Sequence, residues 1–206
     1  MPNDGRTAGD SDIPGSGNPS GNPGSGNPND ERPFSDLLQD HVRHEFTAAQ
    51  QYLAAAVHLD ALRLPRLAGV CYRGSGHRHA HALRMIRHLL DRNLPIRVGG
   101  LEEIVPDFES PRAAIDFMLR RERLLADRLS MLSRNAWETG DYVGEQFVRW
   151  FLRDQADEVA RMTTLLAVFD RADGDLFAVE DFVASEEKPA PEPGPDAPKM
   201  AGTIRN

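Results

Sequence analysis

Along the middle of the chain, apolar residues recur at alternating steps of three and four, the spacing of helices that bury one face in a bundle. A first helix is expected from Ser35, a residue suited to capping, with the stripe Leu38, Val42, Glu45, Ala49, Tyr52, Ala56 and an end in the turn near Leu62 to Pro65. Pro65 opens a second helix that runs to about Arg92, with the stripe Leu67, Cys71, Gly74, Arg78, His81, Met85, His88. The connection from Asn93 to Ser110 is long enough to carry the chain from one end of a bundle to the other. Ser110-Pro111 then starts a third helix, with the stripe Ile115, Met118, Glu122, Leu125, Leu129, Leu132, Ala136, and Gly140 stops it. Asp141 caps a fourth, with Phe147, Phe151, Gln155, Glu158, Met162, Leu165 and Phe169, ending at Asp173-Gly174. A short amphipathic fifth helix is expected from Leu176 to Ala184. No period-two pattern competes, so the expected fold is all-α: two helical hairpins joined by a long crossover into a four-helix bundle.

The flanks lack any such stripe. Residues 1–33 repeat Gly, Asn, Pro and Ser, and residues 185–206 are rich in Pro, Glu and Ala; both are expected to be disordered extensions outside a single domain at 34–184. The final KMAGTIRN is a candidate docking peptide, against the simpler reading of a solvated tail. The net charge of −8 argues against a nucleic-acid partner and suits cations better. No apolar run approaches the roughly 20 residues of a membrane span, and Met1 to Asp10 has no apolar signal core, so a cytoplasmic address is expected. The single Cys71 falls in an apolar stretch and reads as a small buried hydrophobe.

Chemistry enters where each long helix interrupts its apolar stripe near the middle: Glu45, then Arg78 and His81, then Glu122, then Gln155 and Glu158. Buried charges require partners. Glu45 lies about 17 residues before the first turn and the Arg78/His81 pair about 17 after it, which at 1.5 Å per residue is one height in an antiparallel hairpin. Glu122 and Gln155/Glu158 are placed alike about Gly140, so all six side chains share one layer. Inward carboxylates with one imidazole meet the needs of a di-iron site, with oxygen ligands for Fe2+/Fe3+. The same residues also fit a metal-free salt-bridge network that fixes bundle register.

The stretches HEFTAAQQYLAAAVHLD, HALRMIRHLLDRNLP and GDYVGEQFVRWFLRDQADEVARM resemble bacterial non-haem ferritins, over about 150 residues from Phe34 to Ala184. The resemblance implies a ferritin-like bundle that assembles into a hollow shell of 24 chains, or co-assembles with other ferritin subunits, to store ferric mineral. It makes Glu45, His81, Glu122, Gln155 and Glu158 counterparts of the family's iron ligands, and it sets Tyr52 beside the site as an accessory that donates an electron or a hydrogen bond. His79 falls where haem-binding bacterioferritins carry a methionine; an exposed imidazole is the simpler reading, and haem is not expected.

One position departs from the family. The second helix should carry Glu-x-x-His, its Glu bridging two irons, and here that position is Arg78, in the run RGSGHRHAH. A guanidinium cannot ligate iron and repels divalent ions beside it. Animal ferritin light chains offer a family parallel, with a cationic side chain at this position and no rapid oxidation. The expectation is therefore an iron-storage subunit whose ferroxidase centre is blocked by Arg78. One alternative is an active ferroxidase through a rebuilt site of His77, His81 and Glu45; another is a structural or cargo module that stores nothing.

Overall fold

The computed structural model describes residues 32–186 and 196–202. Helix α1 spans Phe34–Ala61, α2 Pro65–Asp91, α3 Pro111–Glu138, α4 Tyr142–Ala172 and α5 Leu176–Glu186, and the described residues contain no strand. The helix starts mostly follow the capping chemistry. The Ser110 hydroxyl accepts from the Ala113 N–H ahead of Pro111, and the Asp141 carboxylate accepts from the Gly144 N–H at 2.9 Å. Ser35 is not a cap: α1 starts one residue earlier, with Pro33 at the cap position and its carbonyl accepting from the Asp36 and Leu37 N–H groups. The fixed φ of proline, −57° here, sets the entry of the chain without a side-chain bond.

Three helix ends close alike, through a residue of positive φ followed by an N–H that reaches back five residues: Leu64 to Leu59, Leu94 to Leu89, and Asp141 to Ala136. The left-handed residues are Arg63, Asn93 and Gly140. The tight turns after α1 and α3 fold each helix back on its successor, so α1 packs on α2 and α3 on α4. The crossover between the hairpins runs along α1. There the Gln51 side chain takes both backbone groups of Val105, donating to its carbonyl at 2.7 Å and accepting from its N–H at 2.9 Å, and Thr47 accepts from the Glu102 N–H.

The core falls into two apolar clusters. One gathers Tyr52, Leu59, Leu67, Cys71, Ile115, Met118, Met162 and Phe169 with Val179 of α5, and the other Leu38, Val42, Met85, Leu89, Leu129, Leu132 and Phe151. Between them, at the middle of the bundle, lie the buried polar residues Glu45, Arg78, His81, Glu122 and Gln155. Helix α2 is continuous through its Gly-Ser-Gly segment. Gly74 is required there by packing, since a Cβ would come within 2.7 Å of the Tyr52 ring.

The expected boundary at Ala184 moves outward, because α5 continues through Ser185 and Glu186. Most of both expected tails, including the last four residues of KMAGTIRN, lies outside the described residues. The described part of the C-terminal segment rests on its own bundle: the Ala201 N–H donates to the Leu83 carbonyl and Arg84 donates to the carbonyl of Pro198.

Candidate metal centre

All four long helices contribute to the polar layer, and Arg78 occupies its middle. The side chain is 1% exposed. Its Nη2 donates to Glu122 Oε2 at 2.5 Å, its Nη1 donates to Gln155 Oε1 at 2.8 Å, and Nη1 also lies 3.5 Å from Glu45 Oε2. Glu122 is engaged on both oxygens, because the Tyr52 hydroxyl donates to its Oε1 at 2.7 Å. Gln155 Nε2 donates to the Glu122 backbone carbonyl at 2.9 Å and to Oε2 at 2.5 Å, fixing α4 against α3.

The electrostatics follow from this packing. Burial works against the charge on Arg78, but Glu122 and Glu45 outweigh it and hold the guanidinium protonated far above its ordinary range. Burial alone would raise the Glu45 carboxyl; Arg78, with His41 and His81, instead holds it well below the usual range. Tyr52 is pushed well above its ordinary value by burial and by the Glu122 charge, so it remains a protonated donor. The five groups thus form a closed ion-pair and hydrogen-bond network around a cation that belongs to the protein.

The remaining candidates collect on one flank of this network. His81 is fully buried, its ring set edge-on against Trp150 and Phe151. Its Nδ1 lies 3.7 Å from Glu45 Oε1, and its Nε2 lies 3.1 Å from Asp154 Oδ2. His77, one turn earlier on α2 and half-buried, places Nε2 3.3 Å from the same Asp154 oxygen and Nδ1 3.7 Å from Glu158 Oε1. Glu158 pairs with Arg161 at 2.5 Å. The six polar interruptions therefore share one level but not one cluster: Glu45, Arg78, Glu122 and Gln155 meet directly, together with Tyr52, while His81 and Glu158 turn to the flank with His77.

The third partner of His77 and His81 is Asp154 rather than Glu45, whose carboxylate is committed to Arg78 and the imidazoles of His41 and His81. Asp154 and His41 were absent from the sequence reading. Asp154 sits one residue, or 100° of helix, from Gln155, where the apolar stripe gives no signal. His41 lies one turn before Glu45 on the buried face, 2% exposed, with Nε2 3.3 Å from Glu45 Oε1. A histidine at that spacing from a buried carboxylate is the signal that could have found it. His79 is exposed, its ring edge-on to Phe46.

The ferritin-like domain family matches residues 35–172. The chain is 43% identical to the ferritin BfrB of Mycolicibacterium smegmatis over 169 residues, covering 82% of this chain and 93% of that protein. The bacterioferritin BfrB of Mycobacterium tuberculosis H37Rv matches to the same extent, and the bacterial non-heme ferritin of Staphylococcus aureus MRSA252 is 25% identical over 70% of this chain and 87% of its own length. Among solved structures, the open-pore ferritin of Archaeoglobus fulgidus superposes with a TM-score of 0.71 over 74% of this chain and 94% of its own, at 20% identity, a likeness of fold. By its helix order, its crossover, its central polar layer and these matches, the chain belongs to the ferritin family.

Proposed function

We propose that this chain is an iron-storage subunit that assembles, with copies of itself or with other ferritin subunits, into a hollow shell, and that its own bundle centre does not oxidise Fe2+ as a complete di-iron site would. The observation that carries this reading is the Arg78 guanidinium at the middle of the polar layer, bonded to Glu122 and Gln155 and facing Glu45. Two Fe2+ ions held about 3.5–4 Å apart need those oxygens as ligands and a further carboxylate between them. Arg78 takes the oxygens, supplies no ligand, and adds a positive charge where two more would have to enter. Stored iron then derives from oxidation elsewhere, in solution or at complete centres of partner subunits, and the acidic balance of the chain favours Fe2+ approach.

The test is oxygen consumption and ferric absorbance after adding about two Fe2+ per subunit, with the wild type beside Arg78→Glu. The expected result is a slow wild type and a fast variant. A wild type that is already fast overturns the block and favours ferroxidase activity through the His77/His81 flank. Sedimentation of the purified chain tests the storage half: absence of an iron-retaining shell, alone or with a second ferritin subunit, favours a structural or cargo module.

A further inference from the structure

The geometry points to a mononuclear divalent transition-metal site formed by His77, His81 and Asp154, on the flank of the polar layer and separate from the Glu45/Glu122 centre that Arg78 fills. The argument begins with donor type. Two imidazoles and one carboxylate form the donor set that binds Fe2+, Co2+ or Zn2+ with coordination positions left open. One ligand atom from each residue lies within 4.8 Å of the others. A four-coordinate ion with bonds of about 2.0–2.1 Å separates its ligand atoms by about 3.3 Å. The two distances from Asp154 Oδ2 to the imidazole nitrogens are 3.3 and 3.1 Å. The third edge, between the two imidazoles one turn apart on α2, lies within the same 4.8 Å, and His77 is half-buried.

Two further observations separate this cluster from an ordinary His–carboxylate contact. First, His81 is fully buried, yet neither ring nitrogen has an aligned hydrogen-bond partner, and the buried Asp154 Oδ2 it faces likewise lacks an aligned one. The carboxylates near the two nitrogens, 3.1 and 3.7 Å away, replace lost hydration only in part, and a metal on Nε2 would give that nitrogen a directed partner. Second, each imidazole turns Nε2 toward Asp154 and Nδ1 toward a glutamate, His77 toward Glu158 and His81 toward Glu45, both at 3.7 Å. Carboxylates behind the distal nitrogens of metal-bound histidines orient the rings and raise their basicity. The pattern occurs twice here, on two histidines one turn apart, and it converges on one oxygen. The site does not rest on the proposed block at Arg78, whose guanidinium bonds to Glu122 and Gln155 and faces Glu45, other residues than the three ligands.

The experiment is titration of the full-length, metal-stripped chain with Co2+, followed by visible absorption, and with Zn2+, followed by calorimetry. One Co2+ per subunit with the intense bands of a low-symmetry His/carboxylate environment is expected. His77→Ala and Asp154→Asn, both at partly exposed positions, are expected to abolish that spectrum while the helical circular dichroism and the assembly state remain those of the wild type. Glu158→Gln is expected to weaken binding about 10–100-fold with the spectrum retained, the effect of removing an outer-shell carboxylate. A wild type without the Co2+ spectrum, or a spectrum and Zn2+ affinity unchanged in both His77→Ala and Asp154→Asn, overturns the site. Neither readout involves iron oxidation, so this outcome is independent of the oxygen-consumption test.

Discussion

Replacing Arg78 by methionine keeps a flexible stem of similar length and removes the only cation in direct contact with both Glu45 and Glu122 among the described residues. Both carboxylates are fully buried, and the substitution leaves them without the groups 2.5 and 3.5 Å away that now balance them. Breaking a buried ion pair from one side destabilises by roughly 3–5 kcal/mol. For a chain of this size the corresponding loss is about 10 °C in melting temperature. The sign of the pH effect follows from the same groups. In the wild type Glu45 titrates well below its ordinary range, so its stabilisation is present above the unfolded carboxylate pKa and is lost as pH falls through the folded value. In the variant the largest effect opposing burial is gone and only the His41 and His81 imidazoles still favour the carboxylate, so the folded pKa of Glu45 rises, and the penalty is largest near neutrality and shrinks in acid. Scanning calorimetry at matched protein concentration, between about pH 7 and pH 4, should therefore show a gap that narrows as pH falls. A variant within about 1 kcal/mol of the wild type near neutrality, or a gap that widens in acid, would refute the closed-network account.

Three smaller perturbations test other parts of the structure. Gly74→Ala improves helix propensity by about 1 kcal/mol, but its Cβ meets the Tyr52 ring at 2.7 Å, so a net loss of about 1–3 kcal/mol in chemical denaturation is expected, and a stabilised variant would show that the ring yields freely. Cys71, fully buried with its thiol pushed up to about 12 by burial, should stay unmodified by a thiol reagent at mildly alkaline pH until the chain unfolds, and rapid native labelling would contradict the packing. His88 stacks on Phe147 at 3.8 Å, and burial followed by the nearby Arg92 charge lowers its pKa to about 4. Because the unfolded chain binds that proton first, His88 lowers stability as pH falls from about 6.5 toward 4, and His88→Gln should flatten the unfolding profile in that window; an unchanged slope would assign the dependence to other groups.

Much of the architecture was legible in the amino-acid pattern, because burying one face per helix imposes a period that the stripes carry openly. The Ser110-Pro111 start, the Asp141 cap and the Gly140 stop are local chemistry and appear where the residues dictate. The common height of Glu45, Arg78, His81, Glu122, Gln155 and Glu158 followed from counting residues about each turn. What counting could not supply was the direction of a side chain at the edge of the buried face. Glu158 stands at the right level and turns out to Arg161, while Asp154, off the stripe, turns in to His77 and His81. Ser35 fails as a cap for a related reason: a proline two residues earlier already fixes the chain's entry to α1. The grip of Gln51 on Val105 depends on the path of the crossover, which has no periodicity to read.

The position of the polar layer between two apolar clusters has a further effect, on alignment. If the α3–α4 hairpin slid one helical turn, about 5.4 Å, along α1–α2, apolar contact would remain, because leucine and methionine recur on both sides of the layer. The charges, however, would not tolerate the shift: Arg78 would face the level of Met118 or Leu125, and Glu122 would enter hydrocarbon without a cation. Each such displacement strands a buried charge at a penalty of several kcal/mol. The layer therefore works as an index mark that permits one setting of the two hairpins, written in residues the protein always carries, so correct alignment of the subunit does not wait on the supply of any metal.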